Sequence, residues 1–156
     1  MVIEEQLPLK EFETWLYDQH DLSEMMSNDL ILSLYSFNYN QQDAQYEFKS
    51  TFLKYFDRQE FMLWKVKANL SDLIEGKGKR DRILYEFNRL GYEEYPFLRN
   101  IGYYMYYLED IKYYGNGTDA ALEDLKQDAS LLLKNIKEQE NNIPGFKISE
   151  FRQVES

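Results

Sequence analysis

Apolar residues along this chain recur every three or four positions more often than every second position, and this spacing is typical of α-helices. Helices are predicted after Pro8 and after Asp43; three phenylalanines at four-residue spacing follow Asp43, namely Phe48, Phe52 and Phe56. The segment from Leu30 to Phe37 fits a buried strand as well as a helix. We predict a helix there, with Asp29 as its N-cap.

Glycine and proline mark the ends of the remaining predicted helices. Residues 59–75 carry an apolar face that ends at Gly76-Lys-Gly78, and residues 82–90 end before Gly91, which is predicted to adopt the left-handed conformation. Pro96 begins a predicted long helix that runs to about Tyr114. Thr118 or Asp119 is predicted to cap a last long helix. The predicted core includes Leu70, Ile83, Phe87, Met105, Leu125, Leu132 and Ile136.

Together these elements predict an all-α fold, a bundle of about six to seven helices with a long antiparallel pair toward the C-terminus. A length of 156 residues fits one domain, since globular domains cluster at roughly 100–150 residues. We therefore predict a single helical domain over residues 1–156. Residues 141–156 are predicted to be a loosely packed tail that lays Phe146, Ile148 and Phe151 on the body.

Composition adds a strong acidic and aromatic bias. The chain contains 14 Tyr and 10 Phe, and its formal net charge is −10. Residues 1–48 carry a net −9, with Lys10 as their one basic residue, whereas residues 49–89 carry +4 and residues 90–156 carry −5. This charge argues against nucleic acid or an anionic membrane as the ligand and favours a basic protein. Alternatively, the segregated charges hold neighbouring helices together.

Candidate chemistry is sparse. Cysteine is absent and histidine occurs once, so the usual acyl-transfer sites are nearly excluded and an enzyme is not expected. Asp18-Gln-His20-Asp21 could hold a metal only weakly, because a second imidazole is missing from the motif. We expect neither a metal nor a cofactor. The lack of cysteine, of a long apolar run and of a basic N-terminal start favours the cytoplasm.

Two groups of residues are candidates for binding a partner. One is a row on the outer side of the helix after Pro96, formed by Tyr103, Tyr107, Asp110 and Tyr114. Tyrosine is favoured at protein interfaces, although a helix that is aromatic all round is also typical of a buried, central position. The second group is a set of acidic residues in the first third of the chain: Asp18, Asp21, Glu24 and Asp29.

The start of the chain resembles a known group of proteins. Phe12-Glu-Thr-Trp15-Leu-Tyr17, followed by Asp29-Leu-Ile-Leu32 and Ser36-Phe-Asn-Tyr39, is similar to the start of small helical immunity proteins encoded beside bacterial polymorphic or contact-dependent growth-inhibition toxins. The resemblance implies a cytoplasmic inhibitor that binds a cognate, often basic and nuclease-type toxin domain. The alternative is a helical regulatory or scaffold module, or a nucleic-acid mimic, that binds another cytosolic protein.

Overall fold

The structure is a computed structural model that describes residues 7–19, 21–114 and 117–153, without the side chains of Ser23, Met25 and Tyr114. Over these ranges the chain is helical with no β-strand, so the prediction of an all-α bundle is confirmed. The α-helices are α1 (Leu9–Asp18), α2 (Leu22–Met25), α3 (Asn28–Ser36), α4 (Ala44–Phe52), α5 (Arg58–Glu75), α6 (Arg80–Glu93), α7 (Arg99–Tyr114) and α8 (Thr118–Asn142).

Contacts within the chain define two compact units, Met1–Asp57 and Arg58–Ser156. The single-domain organisation over residues 1–156 stays a prediction. No helix in the described part of the chain has both the length and the apolar character needed to cross a bilayer.

The N-terminal unit, with α1 to α4, has a core rich in aromatic rings. Phe48 lies at its centre, with its ring centroid 5.5 Å from that of Phe12 and 5.3 Å from that of Phe37. Tyr39 is buried beside them and donates a hydrogen bond of 2.9 Å to the Leu34 carbonyl. Burial raises the pKa of this tyrosine well above its usual range. Leu34 is itself buried, so the exposed face of α3 is the one that points away from Leu34.

Two details in this unit differ from the sequence predictions. The ambiguous segment is helical, as predicted, but its N-cap is Ser27, whose Oγ accepts the Leu30 N–H at 3.4 Å. Asp29 lies in the first turn of α3 instead, where a negative charge favours the helix dipole. The helix after Asp43 ends at Phe52 and continues as a 3₁₀ turn, so Phe56 leaves the predicted stripe and is half-exposed.

The C-terminal unit consists of α5 to α8 around one hydrophobic core. The seven predicted core residues all belong to it; Met105 is only partly buried and the other six are buried. The predicted antiparallel pair is α7 and α8, in which the Tyr104 hydroxyl donates a 2.7 Å hydrogen bond to Asp128. A 3₁₀ turn from Pro96 to Leu98 leads into α7.

Helix ends in this unit correct two predictions. Gly91 does not follow a helix, because it is buried within α6, which continues to Glu93. Gly117 precedes α8 with a φ of 107°, so the cap position carries no side chain and neither Thr118 nor Asp119 caps the helix. The predicted turn between α5 and α6 is confirmed, since Gly76 and Gly78 both have positive φ, at 68° and 71°.

Part of the predicted tail is firmly packed. Ile148 and Phe151 are buried, and the Phe151 ring lies 4.6 Å from that of Phe97. The Gln139 side chain bonds both the N–H and the carbonyl of Arg152, at 3.2 Å and 2.6 Å. Ile148 and Phe151 are therefore packed on the body, and Phe146 is partly buried against the same core. The loose packing of residues 141–156 as a whole stays a prediction.

Candidate interaction surface

Helices α6 and α7 approach each other closely at two glycines. A Cβ atom added to Gly102 of α7 would lie 2.4 Å from the backbone N and Cα of Asn88 on α6. A Cβ added to Gly91 would lie 2.8 Å from the same backbone atoms of Arg99. Because any larger residue would push the helices apart, the glycines set their spacing. The outward side chains of both helices therefore form one surface.

Tyr92 of α6 and Tyr103 of α7 join the two helices on this surface. Their hydroxyl oxygens are 2.5 Å apart, and their rings meet edge to face with centroids 6.3 Å apart. This hydrogen bond raises the pKa of Tyr92. The Arg99 guanidinium lies 4.7 Å from the Tyr92 ring centroid, within the range of a cation–π interaction. These contacts hold both rings in place.

Further tyrosines extend this pair in both directions. The Tyr106 ring lies 6.3 Å from that of Tyr103, and its hydroxyl accepts a hydrogen bond from Asn88 Nδ2 at 3.4 Å. Heptad spacing continues the surface along each helix, from Tyr92 back to Tyr85 and from Tyr106 on to Tyr113. We call this surface the tyrosine face; its members are between 44% and 88% exposed: Tyr85, Tyr92, Tyr103, Tyr106, Tyr107 and Tyr113.

The structure places three residues of the predicted row on the outer side of α7. Tyr103, Tyr107 and Asp110 are exposed, whereas Ile101 and Leu108 on the inner side are buried. The alternative of a central helix buried all round is therefore wrong for α7. Tyr114 is the last residue of α7, and its side chain lies outside the described part of the structure.

This arrangement is suited to binding another macromolecule. Tyrosine offers a large ring with few rotatable bonds and a polar tip, so it loses little conformational entropy when it is covered. The contacts of Tyr92, Tyr103 and Tyr106 restrict these rings further before any partner arrives. Asp110 and Glu109 add exposed carboxylates that can meet a lysine or arginine.

The four predicted acidic residues all lie in the N-terminal unit. Asp18 ends α1, Asp21 precedes α2, Glu24 lies within α2, and Asp29 lies in the first turn of α3. All four are exposed, and within the described residues no ion pair neutralises them. They are therefore available to attract a cation.

The weak metal motif falls partly outside the described residues, since His20 is not among them. Elsewhere in the described ranges, no group of three or more histidine, aspartate or glutamate side chains is arranged to hold a metal ion.

Two features of the C-terminal unit were not predicted from the sequence. Lys65 of α5 is only 7% exposed and forms an ion pair with Glu86 of α6, to which Asn69 also donates a hydrogen bond. The tyrosines of α6 were also missed as part of a surface. The seven-residue spacing of Tyr85 and Tyr92 was the available signal, but only the approach of α6 to α7 joins them to Tyr103.

Among the described residues, two cavities include side chains of the turn that precedes α7. The larger, of about 310 Å³, is lined by residues of that turn and of the packed tail, including Tyr95, Phe97 and Phe151. The smaller, of about 110 Å³, lies between α7 and α8 next to Asp128. Glu94 at the larger cavity is paired with Arg58.

Comparison of the chain with protein-family models, with curated proteins and with solved structures finds no match.

Proposed function

We propose that this chain is a cytoplasmic immunity protein that binds a cognate, basic, nuclease-type bacterial toxin domain and blocks its active site. The observation that best supports this proposal is the tyrosine face, an ordered set of exposed rings on two tightly packed helices. The resemblance of the first third of the sequence to toxin immunity proteins points in the same direction.

The tyrosine face has the composition of a binding hot spot. Residues that contribute most to protein–protein affinity are enriched in tyrosine, tryptophan and arginine, and they cluster in patches that a partner can cover completely. Tyr92, Tyr103 and Tyr106 already contact one another or Asn88, so binding does not have to order them. A surface of this kind supports tight binding by a small protein.

Charge supports a basic partner. The chain has a net charge of −10 and would repel the phosphate backbone of a nucleic acid. A nuclease that binds that backbone carries a cationic cleft, to which exposed carboxylates such as Asp110 offer the same sign of charge as phosphate. An acidic inhibitor that occupies the cleft excludes the substrate.

The test uses the C-terminal domain encoded by the gene directly upstream as the probe. We expect it to co-purify with this chain, and we expect Tyr107→Ala and Asp110→Ala each to weaken the complex by about 2 kcal/mol, roughly 30-fold in Kd. Asp110→Ala should change the free energy of unfolding by no more than about 0.5 kcal/mol, because the carboxylate is exposed. Tyr107→Ala should lower it by about 0.5–1.5 kcal/mol, because the Tyr107 ring packs edge to face on that of Tyr104 at 6.2 Å. Calorimetric titration and thermal melting measure the two quantities on the same samples.

Matched controls are available elsewhere in the chain. Tyr46→Ala on α4 removes another exposed tyrosine, and Glu123→Ala on α8 removes another exposed carboxylate. Both should leave affinity unchanged. If Tyr107→Ala and Asp110→Ala lower stability while the folded protein binds with wild-type affinity, the tyrosine face is not the binding surface. If the complex forms but toxin activity persists within it, the chain is a regulatory or scaffold module instead.

A further inference from the structure

A second exposed apolar surface lies in the N-terminal unit, on α3. Leu32 is 67% exposed there, although its neighbours Ile31 and Leu34 turn inward and are partly or fully buried. Asp29 lies three residues before Leu32 and Tyr35 lies three residues after it. The three exposed residues therefore form one outward stripe on α3.

The stripe continues onto α1 through a pair of tyrosine rings. The Tyr35 ring lies 5.6 Å from that of Tyr17 in the last turn of α1. The Tyr35 hydroxyl also reaches the Leu16 carbonyl at 3.4 Å, which fixes the direction of the ring. Asp18, the last residue of α1, is exposed next to this pair. We call Tyr17, Leu32 and Tyr35, with Asp18 and Asp29, the α1–α3 patch.

The electrostatic surroundings of the α1–α3 patch select the sign of its partner. Residues 1–48 carry a net −9, and their one basic side chain, Lys10, pairs with Glu13 at 2.6 Å. Asp18 and Asp29 are outside any ion pair of the described residues. A cation that approaches the patch is attracted both by these carboxylates and by the faces of the two tyrosine rings.

We propose that the α1–α3 patch docks a lysine- or arginine-bearing amphipathic helix of a partner protein. An apolar side chain of that helix covers Leu32, a cationic side chain packs on the Tyr17–Tyr35 pair, and a second cation pairs with Asp29. A helix that packs along α3 presents side chains every three or four residues, and Asp29, Leu32 and Tyr35 follow one another at three-residue spacing. The inference depends on the proposed function only in taking the partner to be basic.

The experiment uses the full chain and two designed peptides as probes. One is an 18-residue amphipathic helix of about equal parts leucine and lysine, and the other has glutamate in place of every lysine. We expect the leucine–lysine peptide to bind, as measured by fluorescence anisotropy, and the leucine–glutamate peptide not to bind. Leu32→Lys should weaken binding at least tenfold, and Asp29→Asn should weaken it about threefold.

Each variant has a matched control. Leu131→Lys places the same change at an exposed leucine of α8, and Glu47→Gln neutralises an exposed carboxylate on α4 of the same unit. We expect wild-type affinity for the peptide from both. Every substituted side chain is exposed, so we expect all four variants to fold. Circular dichroism of each variant checks this and separates unfolding from a loss of binding.

Four results would overturn the proposal. These are the absence of binding by the leucine–lysine peptide, equal binding of both peptides, equal losses for Leu32→Lys and Leu131→Lys, and a wild-type dimer that Leu32→Lys dissociates in analytical ultracentrifugation. The last result would assign the patch to a second copy of the chain. None of them affects the proposed function, which is tested by the upstream gene product and by variants of α7.

Discussion

Gly102 shows how one missing side chain positions a whole surface. The added Cβ at this residue would meet backbone atoms of Asn88, which cannot rotate away as a flexible side chain can. The same closeness brings Tyr103, the next residue, within hydrogen-bond distance of Tyr92 on the facing helix. Geometry at a single glycine is therefore coupled to the arrangement of the tyrosine face.

Gly102→Ala should destabilise the protein by about 1–3 kcal/mol, the usual cost of an overpacked contact. This loss opposes the gain of about 1 kcal/mol that alanine brings to a helix interior. Gly91→Ala should be less harmful, because its added Cβ would lie 2.8 Å from the facing backbone and not 2.4 Å. Urea unfolding of both variants measures which of them loses more stability. A Gly102→Ala protein more stable than the wild type would contradict the close approach.

At the scale of the element, α8 combines one buried side with one open side. Leu125, Ala129, Leu132 and Ile136 face the core at three- and four-residue spacing, whereas Leu131 is half-exposed beside that face, where it lines the smaller cavity near Asp128. Hydrophobic identity alone does not distinguish Leu131 from Leu132. Their positions on the helix do.

Leu125→Ala and Leu132→Ala should each lower the free energy of unfolding by about 2–5 kcal/mol, because each removes a buried side chain and leaves a cavity. Leu131→Ala, one residue away, should change it by no more than about 0.5 kcal/mol. Denaturant titrations of the three variants provide the comparison. Equal losses at Leu131 and Leu132 would show that the buried side of α8 is misassigned.

Helix faces were predictable from the sequence, whereas several helix ends and helix pairings were not. Periodic apolar residues report which side of a segment is buried, so Leu125, Leu132 and Ile136 were placed correctly. An end depends on local backbone geometry, and Ser27 and Gly117 took cap positions that Asp29 and Thr118 could equally have filled by residue type. The Lys65–Glu86 pair and the close approach at Gly102 depend on which helices pack against each other. The spacing of residues within one helix does not determine that.

For the candidate site, the outer row of α7 was predictable because its members share one helix. Tyr103, Tyr107 and Asp110 are exposed, although their role in binding stays a prediction. The contribution of Tyr85 and Tyr92 required the pairing of α6 with α7. The exposed Leu32 lay in a segment that fits a strand as well as a helix, so its outward direction could not be read from the sequence.

The whole molecule carries its negative charge unevenly. The first 48 residues hold a net −9 out of a total of −10, and the exposed carboxylates among them include all four of the predicted acidic residues. A field of this kind acts over roughly the Debye length, about 8 Å at physiological salt. It affects how fast a basic partner arrives more than how long it stays.

Neutralising Asp18, Asp21, Glu24 and Asp29 together, to asparagine or glutamine, should slow association with the upstream toxin domain and make the rate less sensitive to salt. Neutralising Asp119, Glu123, Asp124 and Glu150 changes the net charge equally and serves as the control. Stopped-flow measurements between about 0.02 and 0.3 M salt span the range over which screening sets in. Equal slowing in both variants would mean that total charge, not its location, steers the encounter.

The packed segment around Ile148 and Phe151 makes contacts that can form only late in the synthesis of the chain. The Ser149 N–H bonds the Gln59 side chain at the start of α5, a partner separated by 90 positions in sequence. The hydrogen bond between Ser149 and Gln59 therefore cannot form until most of the C-terminal unit has been synthesised, at roughly 5–20 residues per second. The contacts of the N-terminal unit, such as Phe12 with Phe48, involve residues translated before α5. The N-terminal unit can therefore complete its contacts during synthesis before the C-terminal unit, which bears the tyrosine face, completes its own.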